Sequence, residues 1–216
     1  MNNVECHQLT RDYGKVHALR GVDLTLPRGE FTALVGPSGS GKSTLLRLLG
    51  CVDRADAGSL RIDGVETTAL SRRKRTSLRR HRLGFMFQAP ADNLLDYLTV
   101  RQHLELAARL RGSAERVDEL LDALDLRARA GHLPRQLSGG EQQRVAIAFT
   151  AVGPPAVLVA DEPTGQLDHA TVDTVLAAFA VLASRGVTVI AATHDPAVAS
   201  RADRVVTMRD GMIDDG

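Results

Sequence analysis

Residues 36 to 43 read Gly36-Pro37-Ser38-Gly39-Ser40-Gly41-Lys42-Ser43, a complete GxxxxGK[ST] pattern followed by Thr44. Glycines at this spacing let backbone N–H groups converge on a phosphate chain without Cβ clashes, and a helix opening behind them adds its positive end. Lys42 is then placed to reach the β and γ phosphates of a nucleotide, and the Ser43 hydroxyl to coordinate Mg²⁺. The bland alternative is a Gly/Ser-rich turn. The four fixed positions arise by chance in a chain this long only at about the 1% level, so the phosphate reading stands. A second group closes an apolar run, Val157-Leu158-Val159-Ala160-Asp161-Glu162. Taken alone, adjacent acids after a strand are a solvated turn or a helix cap. Beside a phosphate loop, Asp161 is expected to hold the Mg²⁺ through its water shell, and Glu162 to polarise water for in-line attack on the γ-phosphate. The chain holds three Asn (Asn2, Asn3, Asn93), and none begins an NKxD guanine-reading motif. A Ras-like GTPase is thereby disfavoured, while kinases, helicases and transport ATPases stay open.

These residues need a scaffold, and the chain has material for one domain: 216 residues, 44% hydrophobic. Phe31 to Val35, Val157 to Ala160 and Val187 to Ala192 are continuous apolar runs. That is the pattern of parallel strands covered on both faces. Val4 to Leu26 alternates between turn residues (Tyr13-Gly14, Pro27-Arg28-Gly29), as an antiparallel sheet at the edge would. Between Leu94 and Leu133 apolar residues fall three and four apart, which predicts two or three amphipathic helices. The expected fold is α/β: a P-loop NTPase core with a parallel sheet, an N-terminal antiparallel edge sheet and an inserted α-helical subdomain. The single domain would comprise a nucleotide-binding core over about 1–93 and 134–216, with the helical subdomain over about 94–133.

Leu137-Ser138-Gly139-Gly140-Glu141-Gln142-Gln143-Arg144 decides between the open classes. It resembles the signature sequence of the ATP-binding cassette (ABC) superfamily. The resemblance covers essentially the whole chain, because other motifs follow in the family's order: Tyr13 ahead of the P-loop, Gln88 after Phe85-Met86-Phe87, Asp161-Glu162-Pro163-Thr164, Gly165-Gln166-Leu167-Asp168, and His194 after an apolar strand. Gly36 to Thr44, Asp161 to Thr164 and Gly84 to Val100 look most like the ATPases of the lipoprotein-releasing and macrolide-exporter type, a group that also includes a cell-division member.

The resemblance implies ATP and Mg²⁺ as cofactors and a head-to-tail homodimer with ATP at the interface. Ser138, Gly139 and Gly140, at the start of a helix from Glu141 to Ala151, would face the γ-phosphate held by the other copy's P-loop. Tyr13 would stack on adenine, where the plain alternative is an edge-sheet Tyr with a wet hydroxyl. Gln88 is implied to touch Mg²⁺ or the attacking water, His194 to contact the γ-phosphate, and Asp168 to sit in a loop that crosses to the partner's site. ATP would close the dimer and its hydrolysis would reopen it. A separate transmembrane permease completes such a complex, with the chain peripheral at the cytoplasmic face of the membrane. The alternative is a non-transport member: mechanotransmission to cell-wall enzymes through a membrane partner, or a soluble ATPase acting on DNA or ribosomes. Those soluble members carry long coiled coils or two cassettes, and this sequence has neither.

This chain departs from the group's pattern in three places. Gln166 stands where Asn is common; Gln88 to Leu95 is about two residues longer than usual before Asn-Leu-Leu; and Arg101-Gln102-His103 stands where Glu-Asn is usual. Composition bounds the remaining classes. Seven aromatics (two Tyr, five Phe) and no Trp leave little for a stacking platform, and a net charge of +1 argues against a generic polyanion binder, so no nucleic acid partner is expected. Cys6 and Cys51 lack metal or disulfide spacing and suit a reducing compartment. The N-terminus has no apolar stretch of signal-peptide type, and the charge-free run from Val145 to Ala160 contains Gly153-Pro154-Pro155 and is too short for a membrane helix. The near-neutral total hides a local excess. Residues 71–82 hold seven basic residues and no acid, and the rest has 20 basic against 26 acidic. That run reads first as a solvated helix, and second as a contact for acidic lipid or an acidic partner loop.

Overall fold

A computed structural model describes residues 2–112, 117–153, 155–165, 167 and 169–214. The expectations placed on Pro154, Gln166 and Asp168 lie outside the described residues. The apolar runs form the centre of a six-stranded sheet. In it β3 (Phe31–Val35), β8 (Thr188–Ala192), β7 (Val157–Asp161) and β6 (Leu83–Met86) run parallel, as does β9 (Arg204–Arg209) on the other side of β3. Only the outermost strand, β10 (Met212–Asp214), is antiparallel, paired to β9 by a tight turn. All five residues of β8 are buried, as expected of a strand covered on both faces.

A second, four-stranded antiparallel sheet has the order β2-β1-β4-β5. Its β1 (Asn2–Tyr13) and β2 (Val16–Pro27) come from the alternating N-terminal segment, while β4 (Ala57–Ile62) and β5 (Val65–Glu66) follow the P-loop helix. The antiparallel sheet expected from the N-terminal segment thus stands as a sheet of its own. The P-loop helix α1 (Lys42–Leu49) contributes Leu45, Leu46, Leu48 and Leu49 to a core shared with Leu9 and Leu26 of the antiparallel sheet and with Leu34, Val159 and Ile190 of the parallel one. Asn3 fastens the two sheets, its buried amide donating to the Ala156 carbonyl (2.7 Å) and the Thr188 hydroxyl (3.0 Å).

On the opposite face of the parallel sheet lie α5 (Gly139–Ala151), α6 (His169–Ser184) and α7 (Pro196–Arg201), and α3 (Val100–Arg111) and α4 (Val117–Ala123) pack in turn against α5. In α3, Thr99 accepts from the Gln102 amide while the Gln102 side chain accepts from the Thr99 N–H, a reciprocal cap. Gly112 ends the helix in the left-handed conformation. The basic run forms α2 (Arg72–Arg82), with only Leu78 buried. Arg79 donates to the Cys51 carbonyl and Arg82 pairs with Asp63. Both cysteines are free and buried, and burial lifts the Cys51 thiol to about 11. Among the described residues no helix is long and apolar enough to cross a membrane.

Candidate active site

The phosphate loop joins β3 to α1 at the carboxyl end of the parallel sheet, where ligands of open α/β sheets bind. Two glycines there have no substitute. At Gly36 (φ +152°) a Cβ would lie 2.1 Å from the Met208 carbonyl, and at Gly41 (φ +103°) 2.6 Å from the Ala18 carbonyl. Lys42 is nearly buried, and its ammonium donates to the carbonyls of Gly36 (2.8 Å) and Pro37 (3.0 Å) across the loop.

A cleft of about 640 Å³ opens above this loop. It is lined by Tyr13, by Gly36, Ser38, Gly39, Gly41, Lys42, Ser43 and Thr44, and by Gln88, Asp161, Glu162 and His194. The carboxyl ends of four parallel strands, β3, β6, β7 and β8, thus deliver their polar residues to one place. Pro37 and Ser40 belong to the same loop but do not line the cleft. Pro37 is exposed, and Ser40 turns inward, its carbonyl accepting from Gly211 in the β9–β10 turn (3.0 Å).

Asp161 is half-buried. Burial pushes its carboxyl above the usual range, and a hydrogen bond from the Ser43 hydroxyl works in the opposite direction. A hydroxyl and a carboxylate brought together beside a phosphate loop are the hard-oxygen donors that Mg²⁺ takes, the remaining positions falling to phosphate and water. The donor set therefore fits the ion. Glu162 follows with φ +46°, a left-handed conformation that costs a non-glycine residue of order 1 kcal/mol and aims its side chain across the cleft. Its carboxylate meets His194 Nδ1 at 2.9 Å, and this hydrogen bond raises the imidazole above its ordinary pKa. Thr164 and Asp195 join the two loops behind this pair, hydroxyl to carboxylate at 3.2 Å.

Ser138, Gly139 and Gly140 are not among the residues of this cleft. They open α5, where Ser138 accepts from the Glu141 amide (3.2 Å) and Glu141 accepts from the Ser138 N–H (2.8 Å). Arg129 pairs with Glu141 at 2.7 Å and, with that cap, holds its carboxyl below the usual range. Ser138 and Gly139 are exposed, while Gly140 is pressed against α6, where a Cβ would meet Thr171 at 2.1 Å. Val16, His17 and Ala18 also line the cleft, and sequence reasoning did not find them. Their signal was the turn at Tyr13-Gly14, which folds β2 back beside the P-loop.

The ABC transporter family model matches residues 19–165, well over half of the chain. The chain belongs to the ABC transporter family. The ABC cassette is 40% identical over 216 residues to the lipoprotein-releasing system ATP-binding protein LolD of Porphyromonas gingivalis, covering 97% of this chain and 98% of LolD. It is 43% identical over 222 residues to the macrolide export ATP-binding/permease protein MacB of Neisseria meningitidis, covering 99% of this chain but 34% of MacB. It therefore spans about a third of the length of the macrolide-export relatives it matches. Its fold is that of the ATP-binding cassette MJ0796, solved as a dimer in a post-hydrolysis state with ADP and Pi. The TM-score is 0.86 at 36% identity, covering 98% of this chain and 96% of that one. The cassette is accordingly an ATP-binding, ATP-hydrolysing module.

Proposed function

We propose that this cassette is the ATPase subunit of a membrane ABC complex of the export or extraction type, acting as a homodimer on a separate transmembrane permease at the cytoplasmic face of the membrane. The near end-to-end match to LolD, a protein named as the ATP-binding part of a release system, supports this reading most directly. In each copy, Tyr13 stacks on adenine, and the loop from Gly36 through Thr44, with Pro37, Ser38, Gly39, Ser40 and Gly41, wraps the phosphates. Lys42 exchanges its carbonyl contacts for the β and γ phosphates. Ser43, Asp161 and Gln88 would hold Mg²⁺, which when bound would neutralise charge developing on the phosphates.

Glu162 accepts a proton from the attacking water, and His194, oriented by Glu162, donates to the γ-phosphate. Ser138, Gly139 and Gly140 reach that phosphate from the second copy, with Asp168 in the loop between the sites. In support of the two-copy reading, Ser138 stands exposed at a helix N-terminus outside the cleft, and the MJ0796 cassette is described as a dimer. Hydrolysis removes the γ-phosphate contacts, and the copies part.

Co-purification from detergent-solubilised membranes tests the complex. The tagged cassette is expected to bring down one multi-spanning membrane protein in stoichiometric amount. Recovery of the cassette alone, with all of it in the soluble fraction, contradicts the proposal.

A further inference from the structure

β6 is the outermost parallel strand, and its pairing with β7 ends at Met86 opposite Ala160. Beyond Met86 the backbone has no neighbouring strand, yet Gln88, two residues on, must present its side chain to the cleft. The side chain of Asn93 takes the place of the missing strand. Its Oδ1 accepts from the Phe87 N–H (2.8 Å), and its Nδ2 donates to the carbonyls of Phe87 (3.1 Å) and Ala89 (3.0 Å). A primary amide alone offers a donor and an acceptor in the arrangement of a peptide group, and here it grips the backbone on both sides of Gln88. The Gln88 side chain is exposed and has no hydrogen-bond partner among the described residues, so its direction is set by this backbone.

Asn93 is held in turn. It closes a 3-10 turn from Pro90, after which Leu94 is buried in the core and the Leu95 N–H donates to His103 Nε2 at 2.8 Å. His103 lies on α3 with 1% of its surface exposed, its Nδ1–H donating to the Thr99 carbonyl (2.8 Å) and its ring edge-to-face with Phe149 of α5. An amide N–H can only donate and a carbonyl can only accept, so both contacts demand the neutral Nδ1–H tautomer. Burial depresses the imidazole pKa and favours that neutral form.

We infer that Asn93 and His103 are positioning residues for Gln88: Asn93 fixes the backbone that flanks it, and His103 anchors the end of the same loop to α3. The inference rests on the reading of Gln88 as a contact of the reacting end of the nucleotide.

A double-mutant cycle on ATP hydrolysis by the full chain tests it, with folding checked by thermal melting and nucleotide affinity by a fluorescent ATP analogue. Asn93→Ala is expected to lower kcat about ten- to a hundredfold, the scale of a small misplacement of a reacting group, with nucleotide affinity within about twofold. Added to Gln88→Ala, it should cost nothing more, because the residue it positions is already gone. His103→Leu should lower kcat in the same non-additive way, and His103→Asn, which keeps an acceptor, should recover most of it. If Asn93→Ala melts below the assay temperature, the two His103 variants carry the same cycle. Losses that add fully to Gln88→Ala, or wild-type kcat in Asn93→Ala and His103→Leu, overturn the positioning role while leaving that of Gln88 intact. A wild-type kcat for Gln88→Ala itself overturns both.

Discussion

The Arg11 guanidinium lies 4.6 Å from the centroid of the Tyr13 ring and pairs with Asp53 (3.1 Å) and Asp56 (2.9 Å). Asp53 also accepts the Tyr13 hydroxyl at 2.6 Å, so that hydroxyl is committed to the protein rather than wet. One face of the ring is covered by a cation while the residue still lines the cleft, and in the proposed reading the other face takes the base. A stacked cation at a partly exposed site contributes about 0.5–1 kcal/mol. Arg11→Ala is therefore expected to raise KM for ATP about two- to fivefold with little change in kcat, measured by steady-state hydrolysis; an unchanged KM would show that the ring needs no such support. Motif residues such as Lys42, Ser43, Asp161 and Glu162 were legible because their chemistry lies in consecutive positions. Asp53 was not, because its bond to Tyr13 spans forty residues and no local pattern reports it.

Among the elements, α3 bears on the site through two of its residues. His103 holds the loop after Gln88. Near the helix end, the Arg111 guanidinium donates to the carbonyls of Thr150 (2.5 Å) and Val152 (2.6 Å), where α5 ends, and to that of Leu83 at the start of β6 (3.3 Å). Burial lowers its pKa, and among the described residues no carboxylate pairs with it. Carbonyls at a helix C-terminus carry partial negative charge, which supplies the missing counter-ion. This one side chain ties together α3, the helix that begins at Ser138 and the strand that leads to Gln88. Arg111→Met should cost about 2 kcal/mol by leaving buried carbonyls unpaired, lowering the melting temperature by about 4–8 °C. A melting curve unchanged within 1 °C or so would place those carbonyls in water. Long, strongly patterned elements were readable: β3, β7 and β8 from continuous apolar runs, α5 from the motif that caps it. The short strands β4, β5, β9 and β10 were not, because they run only two to six residues and each carries a charged residue, while β4 and β9 also pair with β1 and β3 far away in sequence.

At the scale of the whole molecule, one copy gathers the phosphate loop, Asp161, Glu162, Gln88 and His194 in a single cleft, and presents Ser138 elsewhere. A two-fold arrangement repeats each contact, so in the proposed homodimer two such copies would complete two sites together or none. In the proposed homodimer, hydrolysis and dimerisation would be linked: whatever keeps the γ-phosphate in place would keep the copies closed. The charge distribution sharpens the picture of the outer surface, since seven basic residues are confined to α2 while the remainder is net acidic. In the proposed cycle Glu162 drives loss of the γ-phosphate and so the opening of the dimer. Glu162→Gln keeps the shape of the side chain and removes its basicity. The decisive measurement is size-exclusion chromatography of that variant with ATP, run beside an assay of phosphate release. A stable ATP-bound dimer with hydrolysis reduced at least about a hundredfold is predicted. A variant that hydrolyses ATP at the wild-type rate, or stays monomeric with ATP bound, contradicts the account.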